Sequence, residues 1–530
     1  MTKPHIIPQY AQRIAKQLAQ NQKAYPDENI RFLLQDNPVW VMESLKGLLD
    51  AESTTTAGPN WLLEAYSILL GQQLEFLRYG VDRGRAEEID LAHQFQHRVV
   101  GLARNGRIST LLLSRIAVLL RDAKLQPIPE LFEVAAELMR ETQPPEDFDF
   151  EAIPSFLQDL ASEANNDPFE IARALTEFTY AMPPDALTML AALILNEPSL
   201  GIAEAAPLMI LDDRTEARQM LRQVLHTHAK QLSPVSLRRL IALRNWLPEA
   251  ERKPIDETIR LARRHGVECA PWPEPATVEL FASVVDGSGA QGFYFLSRKG
   301  RKHTVASILT RLGKGILDAW TLPDISKREM EGIVSDIKAE MPVHSTTWKY
   351  LDRAIQHHLA TALDTHTLPP VALLKVAEST GAHAWRPQSL NLSEAIDQLL
   401  TELPEELLDP SAMADVLRTS SDWAAFSGIT ESWFEDDQEV VDRLSTKRST
   451  RRSALIQKVL DEVIQPRASK WAERCLWAAL WCREGPDSLR SFWPNFLLVA
   501  KALRENHPLK DISLMTEIAD QTVATAMFRG

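Results

Sequence analysis

Residues 277–323 read TVELFASVVDGSGAQGFYFLSRKGRKHTVASILTRLGKGILDAWTLP. This stretch decides the fold, because it follows a strand pattern in a chain whose remainder follows a helical one. Six of the chain's 20 glycines fall between Gly287 and Gly315. Val278 to Val285 is expected as a strand, Asp286-Gly287-Ser288-Gly289 as a turn, and Gly292 to Ser297 as a second strand rich in aromatics. Thr304 to Leu309 and Ile316 to Thr321, joined by Gly313-Lys314-Gly315, form a second hairpin. Ser326 and Glu329 then supply the capping box of a helix running to about Met341. The prediction is a small α+β module over 276–342, with four antiparallel strands and one helix. Residues 304–312 lack strict alternation and also fit a helix.

Helices surround this module. The run Ala270-Pro271-Trp272-Pro273-Glu274-Pro275 imposes extended backbone and cannot continue a helix, so it marks the entry to the strands. From Pro8 to Gly266, apolar residues recur at helical spacing between Pro, Gly, Asn and Asp breaks. Leu112, Ile116, Leu119 and Leu120 form one such stripe, on a helix that starts after Asn105-Gly106. Ser233-Pro234 reads as a cap followed by proline at the first helical position, with a helix to Trp246; another is expected from Pro254 to Gly266. Thr142 to Pro154, with Pro144-Pro145 and the acidic run to Glu151, reads as a linker. Beyond Met341-Pro342 the helical pattern resumes, with an acidic stretch from Glu431 to Asp442 and tryptophans at 471, 477, 481 and 493. The expected blocks are 1–143, 152–269, 276–342 and 343–530.

Repeated helical hairpins without long loops are the signature of an α-solenoid, where each pair buries its face by stacking on its neighbours. Within them, residues 206–218, APLMILDDRTEAR, resemble a HEAT repeat, with Pro207 bending the first helix, Asp212 in the turn and Arg218 six residues later. The resemblance implies a mainly α chain of irregular HEAT-like hairpins over 152–269, carrying the α+β module as an insertion. It also implies a scaffold with a partner-binding surface and no catalytic residues.

Composition narrows the function classes. With 45% hydrophobic and 25% charged residues, the 530-residue chain is expected to fold rather than remain disordered. A net charge of -14 argues against a surface that attracts nucleic acid or anionic membrane throughout, leaving only local charge for such partners. Cys269, Cys475 and Cys482 are too few for a disulfide framework and lack zinc-site spacing, which points to a cytoplasmic location. The opening MTKPHIIPQYAQRIAKQLAQ lacks the apolar core of a signal peptide. The longest apolar run, Ala186 to Leu195, is about half of the roughly 20 residues that span a bilayer. No membrane association, metal or cofactor is expected.

Two features of the strand region invite a binding reading. Gly287 to Gly292 spells GxGxxG, but a dinucleotide site needs a helix after the glycines, and a strand follows. A kinase loop needs a lysine on the third strand, where Ile308 stands, and later HRD and DFG elements that are missing. The glycines therefore read as hairpin geometry. The second feature is charge: from Gly287 through Leu317 there is no acidic residue, while Arg298, Lys299, Arg301, Lys302, Arg311 and Lys314 are basic and His303 lies beside them. With Phe293, Tyr294 and Phe295 these could contact phosphates and stack bases. The alternatives are a solubilising loop that discourages edge pairing, or docking on an acidic face of the chain itself. Arg238, Arg239, Arg244, Arg260, Arg263 and Arg264 form a second basic cluster, and Lys447, Arg448, Arg451 and Arg452 a third. His93 and His97, four apart on a helix, could share a metal but no third ligand is indicated, and the pairs His226/His228 and His357/His358 lack metal-site geometry. Three function classes remain: a non-enzymatic scaffold for a protein partner, a nucleic-acid-associated protein, and an enzyme assembled from distant residues.

Overall fold

The computed structural model describes residues 6–20, 28–53, 59–141, 152–180, 184–197, 199–274, 277–382, 385–445 and 451–529. The fold is mainly helical, with one inserted five-stranded antiparallel sheet. It forms two compact units: residues 1–193 with 437–439, and residues 194–436 with 440–530.

The first unit is built on helices α1 (Trp61–Asp82), α2 (Ala86–Arg104), α3 (Thr110–Asp122) and α4 (Pro168–Thr179). Short polar side chains start three of them: Asn60, Ser109 and Asp167 accept the N–H groups of Leu63, Leu112 and Phe169 at 3.1, 3.1 and 2.9 Å. The predicted α3 stripe faces inward, with Leu112, Ile116 and Leu120 buried and Leu119 half-buried. They join Leu70 and Leu74 of α1 and Phe95 and Val99 of α2 in one core. Of the predicted linker at 142–154, residues 142–151 lie outside the described residues, and 152–154 are already the first residues of a helix, Ala152–Glu163. The compact division falls beyond it, after Leu193. Tyr180 explains why: it stacks edge-on with Phe132 at 5.6 Å and lies under the Arg121 guanidinium at 4.9 Å, tying the segment after the linker to the first block.

In the second unit, a 3-10 helix (Ala206–Leu211) precedes α5 (Thr215–Thr227), α6 (Pro234–Arg244) and α7 (Glu249–Arg264). Pro207 therefore sits in a tight turn rather than in a bent α-helix, with Leu208 N–H donating to the carbonyl of Ala205, three residues back. Asp212 accepts from the Arg214 backbone and guanidinium at 2.8–3.0 Å. Arg218 donates to the Asp212 and Asp213 carbonyls at 2.8 and 3.0 Å and to the Glu251 carboxylate of α7 at 2.8 Å, and Arg222 also pairs with Glu251. The aspartate and arginine thus clamp a turn to the next helix. Helix α7 starts at Glu249, not Pro254. The proline lies inside the helix, where it lacks an N–H for the carbonyl four residues back, while Glu249 and Glu251 favour the N-terminus.

The sheet has the order β4-β3-β2-β1-β5, from β1 (Val278–Ser283), β2 (Ala290–Lys299), β3 (Lys302–Arg311), β4 (Gly315–Ile325) and β5 (Val343–Ser345). Residues 304–311 are strand, not helix, and Leu312 begins the turn. The three-residue β5 is an addition to the four strands expected; it is too short to show alternation, and it forms where the chain returns to pair with Phe281–Ser283. Helix α8 (Lys327–Glu340) begins with the predicted capping box. Strand alternation sends Phe293 and Phe295 to one face, where they meet Tyr350 and Trp348 of α9 (Trp348–Asp364) at 6.1 and 6.2 Å. Tyr294 goes to the other face, with its hydroxyl 3.6 Å from the Met341 sulfur.

Helix α10 (Ala372–Thr380) packs on β3 and β4. It is joined to α6 by a buried ionic cluster. Glu378 binds Arg238 at 2.8 Å and Arg239 at 3.0 Å, and Arg239 also binds Glu204 at 3.1 Å. Trp246 adds a bond to the Trp385 carbonyl at 3.0 Å. Helix α12 (Ala468–Arg483), which follows α11 (Ser420–Ser427), meets α9 through Trp477, whose ring lies 6.0 Å from that of Tyr350, and packs on α13 (Trp493–Arg504). Its Trp471, Trp477 and Trp481 are buried, as are Cys475 and Cys482, whose thiol pKa values burial pushes up. Trp481 Nε1 donates to the Ala282 carbonyl at 3.2 Å, and Trp433 Nε1 to that of Val285 at 3.0 Å.

Candidate functional site

The glycine-rich turn is fixed from inside. The Asp286 carboxylate accepts from Ser288 N–H, Ser288 Oγ and Ala290 N–H, each at 2.8 Å, and Gly289 adopts φ +81°. Gly287 has a different reason to lack a side chain: a Cβ there would lie 1.8 Å from the backbone oxygen of Ser432. Its N–H donates to Ser432 Oγ at 3.1 Å. The turn's amides are thus directed at the protein itself, and the motif is a docking joint between the sheet and the loop before Trp433.

The six basic residues of the acid-free stretch do not share a surface. Lys302 and Arg311 are the two ends of β3, about 30 Å apart at the rise of a strand. Arg311 and Lys314 lie at one end, where Arg311 Nε donates to the Ser288 carbonyl at 3.1 Å. Arg298, Lys299, Arg301 and Lys302 lie at the other, on a two-residue turn whose first central residue, Gly300, has φ +61°. Arg298 and Lys302 are exposed and donate to the backbone carbonyls of Gly300 and Asp324 at 2.8 and 3.0 Å. Phe293 and Phe295 are buried in the core, so their faces cannot stack on bases; only Tyr294 is half-exposed. The sequence held the signal for this, since three consecutive residues of a strand alternate between faces.

The second cluster is largely neutralised. Arg238 and Arg239 bind Glu378, and Arg244 binds Asp256 in a two-pronged contact at 2.8 Å; that bond holds the Asp256 carboxyl below its usual pKa. Arg263 and Arg264 are exposed in the last turn of α7, where cations favour the helix C-terminus. Of the third cluster, Lys447 and Arg448 lie outside the described residues, and Arg452 binds Asp520 at 2.6 and 2.7 Å.

The histidines separate as well. His93 and His97 are exposed on α2, and among the described residues no group of three or more His, Cys, Asp or Glu is placed to hold a metal. His357 and His358 are buried on α9. His357 Nδ1 accepts the Leu390 N–H at 3.2 Å, which leaves the proton on Nε2, 3.3 Å from Glu473. His358 stacks on Trp477, and burial, then the neighbouring His357, lowers its pKa from 6.5 to about 3. The unfolded chain therefore takes up a proton near pH 6.5 that the folded chain refuses until about pH 3, so stability falls as pH drops through that window. At pH 5 the loss from this group is about 2 kcal/mol. Urea unfolding of the wild type and His358→Phe at pH 7 and pH 5 checks this, the variant losing less on acidification.

One apolar surface also stands out in the second unit. Phe426 of α11 is 86% exposed, with its ring 6.3 Å from that of Phe492. Trp423, one turn earlier and half-buried, meets Phe496 edge-on at 4.9 Å, and Trp493 lies beneath the Arg483 guanidinium at 5.8 Å. Among the described residues, no helix is long and apolar enough to cross a membrane.

Comparison with known proteins finds two regions of recognisable sequence, neither of which includes the sheet. Residues 183–266 match the model of the Y4lR second domain, and residues 393–527 that of the Y4lR C-terminal helical domain. The uncharacterised protein y4lR of Sinorhizobium fredii is 28% identical over 297 residues, covering 55% of this chain and 56% of its own. The chain thus spans just over half the length of the curated relative it matches. No solved structure matches. The chain is similar to Y4lR proteins in the helical hairpins before the sheet and in the helices that carry the exposed aromatic surface.

Proposed function

We propose that the protein is a non-enzymatic helical-repeat adaptor, HEAT-like in its packing, that holds a protein partner. The observation carrying this reading is Phe426. A phenylalanine 86% exposed in a unit whose tryptophans 433, 471, 477 and 481 are all buried costs solubility without adding to the core. Aromatic residues are common anchors of protein interfaces, and the half-buried Phe492 lies beside Phe426.

Phe426→Asp tests it. Because the side chain is almost fully exposed, thermal stability is expected to change by no more than about 0.5 kcal/mol. Affinity capture from the native host is expected to recover a stoichiometric partner with the wild type and at least about tenfold less of it with the variant. A wild type that recovers no stoichiometric partner, or a variant that retains it, overturns the reading.

A further inference from the structure

We infer that the tip of the β2–β3 hairpin is a second docking surface, one that takes a carboxylate-rich segment of a protein. The inference rests on the adaptor reading and gives it a second contact of defined chemistry. The tip carries Arg298, Lys299, Arg301 and Lys302 on the two strands and their turn. The pairing of His303 with Ile325 brings the first turn of α8 to the same corner, adding Lys327 and Arg328. Against these six cations stand Asp324, Glu329 and Glu331, a local net of +3 in a chain of net -14. Two of those three carboxylates are engaged: Glu329 accepts the Ser326 N–H at 2.9 Å, and Glu331 pairs with Lys327 at 3.5 Å.

Folding does not account for these charges. The backbone register pairs Lys299 with Lys302, and like-charged residues paired across strands destabilise a hairpin. Edge protection does not account for them either. Strands β2 and β3 are interior in the order β4-β3-β2-β1-β5, and only Arg298 and Lys299 run past the β1 pairing that ends at Ser297. Nor does internal pairing. Arginines 218, 239, 244 and 452 each bind a carboxylate, whereas Arg298 and Lys302 donate to backbone carbonyls and, among the described residues, pair with no carboxylate.

The geometry favours a peptide over a nucleic acid. A single-strand binder needs aromatic faces beside its cations, and here Phe293 and Phe295 are buried. A turn of two residues also gives a narrow footprint, and a long polyanion reaching beyond it meets the field of a strongly acidic protein. A short acidic segment touches the cations alone, and guanidinium groups match carboxylates in two-pronged geometry.

The test is fluorescence anisotropy with labelled decaglutamate and labelled oligothymidine at low ionic strength, on the full chain. Decaglutamate is expected to bind the wild type, more weakly as salt rises. The variant Arg298→Glu, Arg301→Glu, Lys302→Glu is expected to lose at least about tenfold in affinity. Its melting temperature should be no lower than the wild type's, and Arg301→Glu alone, at the turn, gives a milder version should the triple variant melt early. No binding of decaglutamate by the wild type, unchanged affinity in the folded variant, or tighter binding of oligothymidine each overturns the inference. Partner capture through Phe426 reads the adaptor function separately, so a failure of the hairpin contact is told apart from a failure of the adaptor reading.

Discussion

Glu378→Ala lowers the unfolding free energy of the second unit by about 3–5 kcal/mol, the loss expected when one partner of a buried ionic cluster is removed. The cluster is balanced, with Arg238 and Arg239 against Glu378 and Glu204, and its side chains are between 8% and 14% exposed. Deleting Glu378 takes from Arg238 and Arg239 the carboxylate that both bind, in a poorly hydrated site. It also cuts the tie between α6 and α10, on which the layering of the hairpins against the sheet depends. Urea denaturation at neutral pH measures the effect. The exposed Lys327–Glu331 pair provides the contrast, since Glu331→Ala there changes stability by less than about 1 kcal/mol. A Glu378→Ala loss as small as that of Glu331→Ala would show the cluster to be energetically idle.

Gly287→Ala is expected to cost about 3 kcal/mol or more, because the obstacle is backbone. The added Cβ would sit 1.8 Å from the Ser432 oxygen and 2.8 Å from its carbonyl carbon, so one main chain must move. Movement also loosens the Gly287–Ser432 hydrogen bond and the Trp433–Val285 bond beside it. Gly300→Ala at the hairpin tip supplies the comparison. It meets no atom within 4 Å but keeps φ at +61°, so it is strained by conformation alone and costs about 1–2 kcal/mol. Thermal melting ranks the two, and a smaller loss at Gly287 than at Gly300 contradicts the docking role given to the glycine turn.

The strand module was readable because its signals are local. Glycine turns, β-branched runs and the Ser326–Glu329 box each act over a few residues, and they placed four strands and a capped helix. Strand β5 was not readable, since Val343–Ser345 pairs only because α8 returns the chain to β1. The basic clusters were misjudged for a related reason. Arg239 reads as an available cation until Glu378, 139 residues later, is brought against it. The charge run from Arg298 to Lys314 reads as one patch until β3 is laid out straight, which sends its ends apart. Phe293 and Phe295 were misread locally: a period of two already assigns them to one face, and only the packing of α9 shows that face to be closed. Phe426 carried no signal at all, because exposure in a helix of mixed character depends on what fails to cover it.

The bond from Trp481 to Ala282 spans 199 residues. At about 5–20 residues per second of synthesis, β1 waits roughly 10–40 s on the ribosome before the tryptophan that covers its end is made. Throughout that interval the sheet is a nascent structure with bare edges, and a chain released early, after α8, would carry it uncovered. The proline-rich punctuation before Val278 therefore marks a place where secondary structure changes but not a place where folding can finish. Interrupted translation beyond β4 is expected to yield aggregation-prone fragments rather than a stable module.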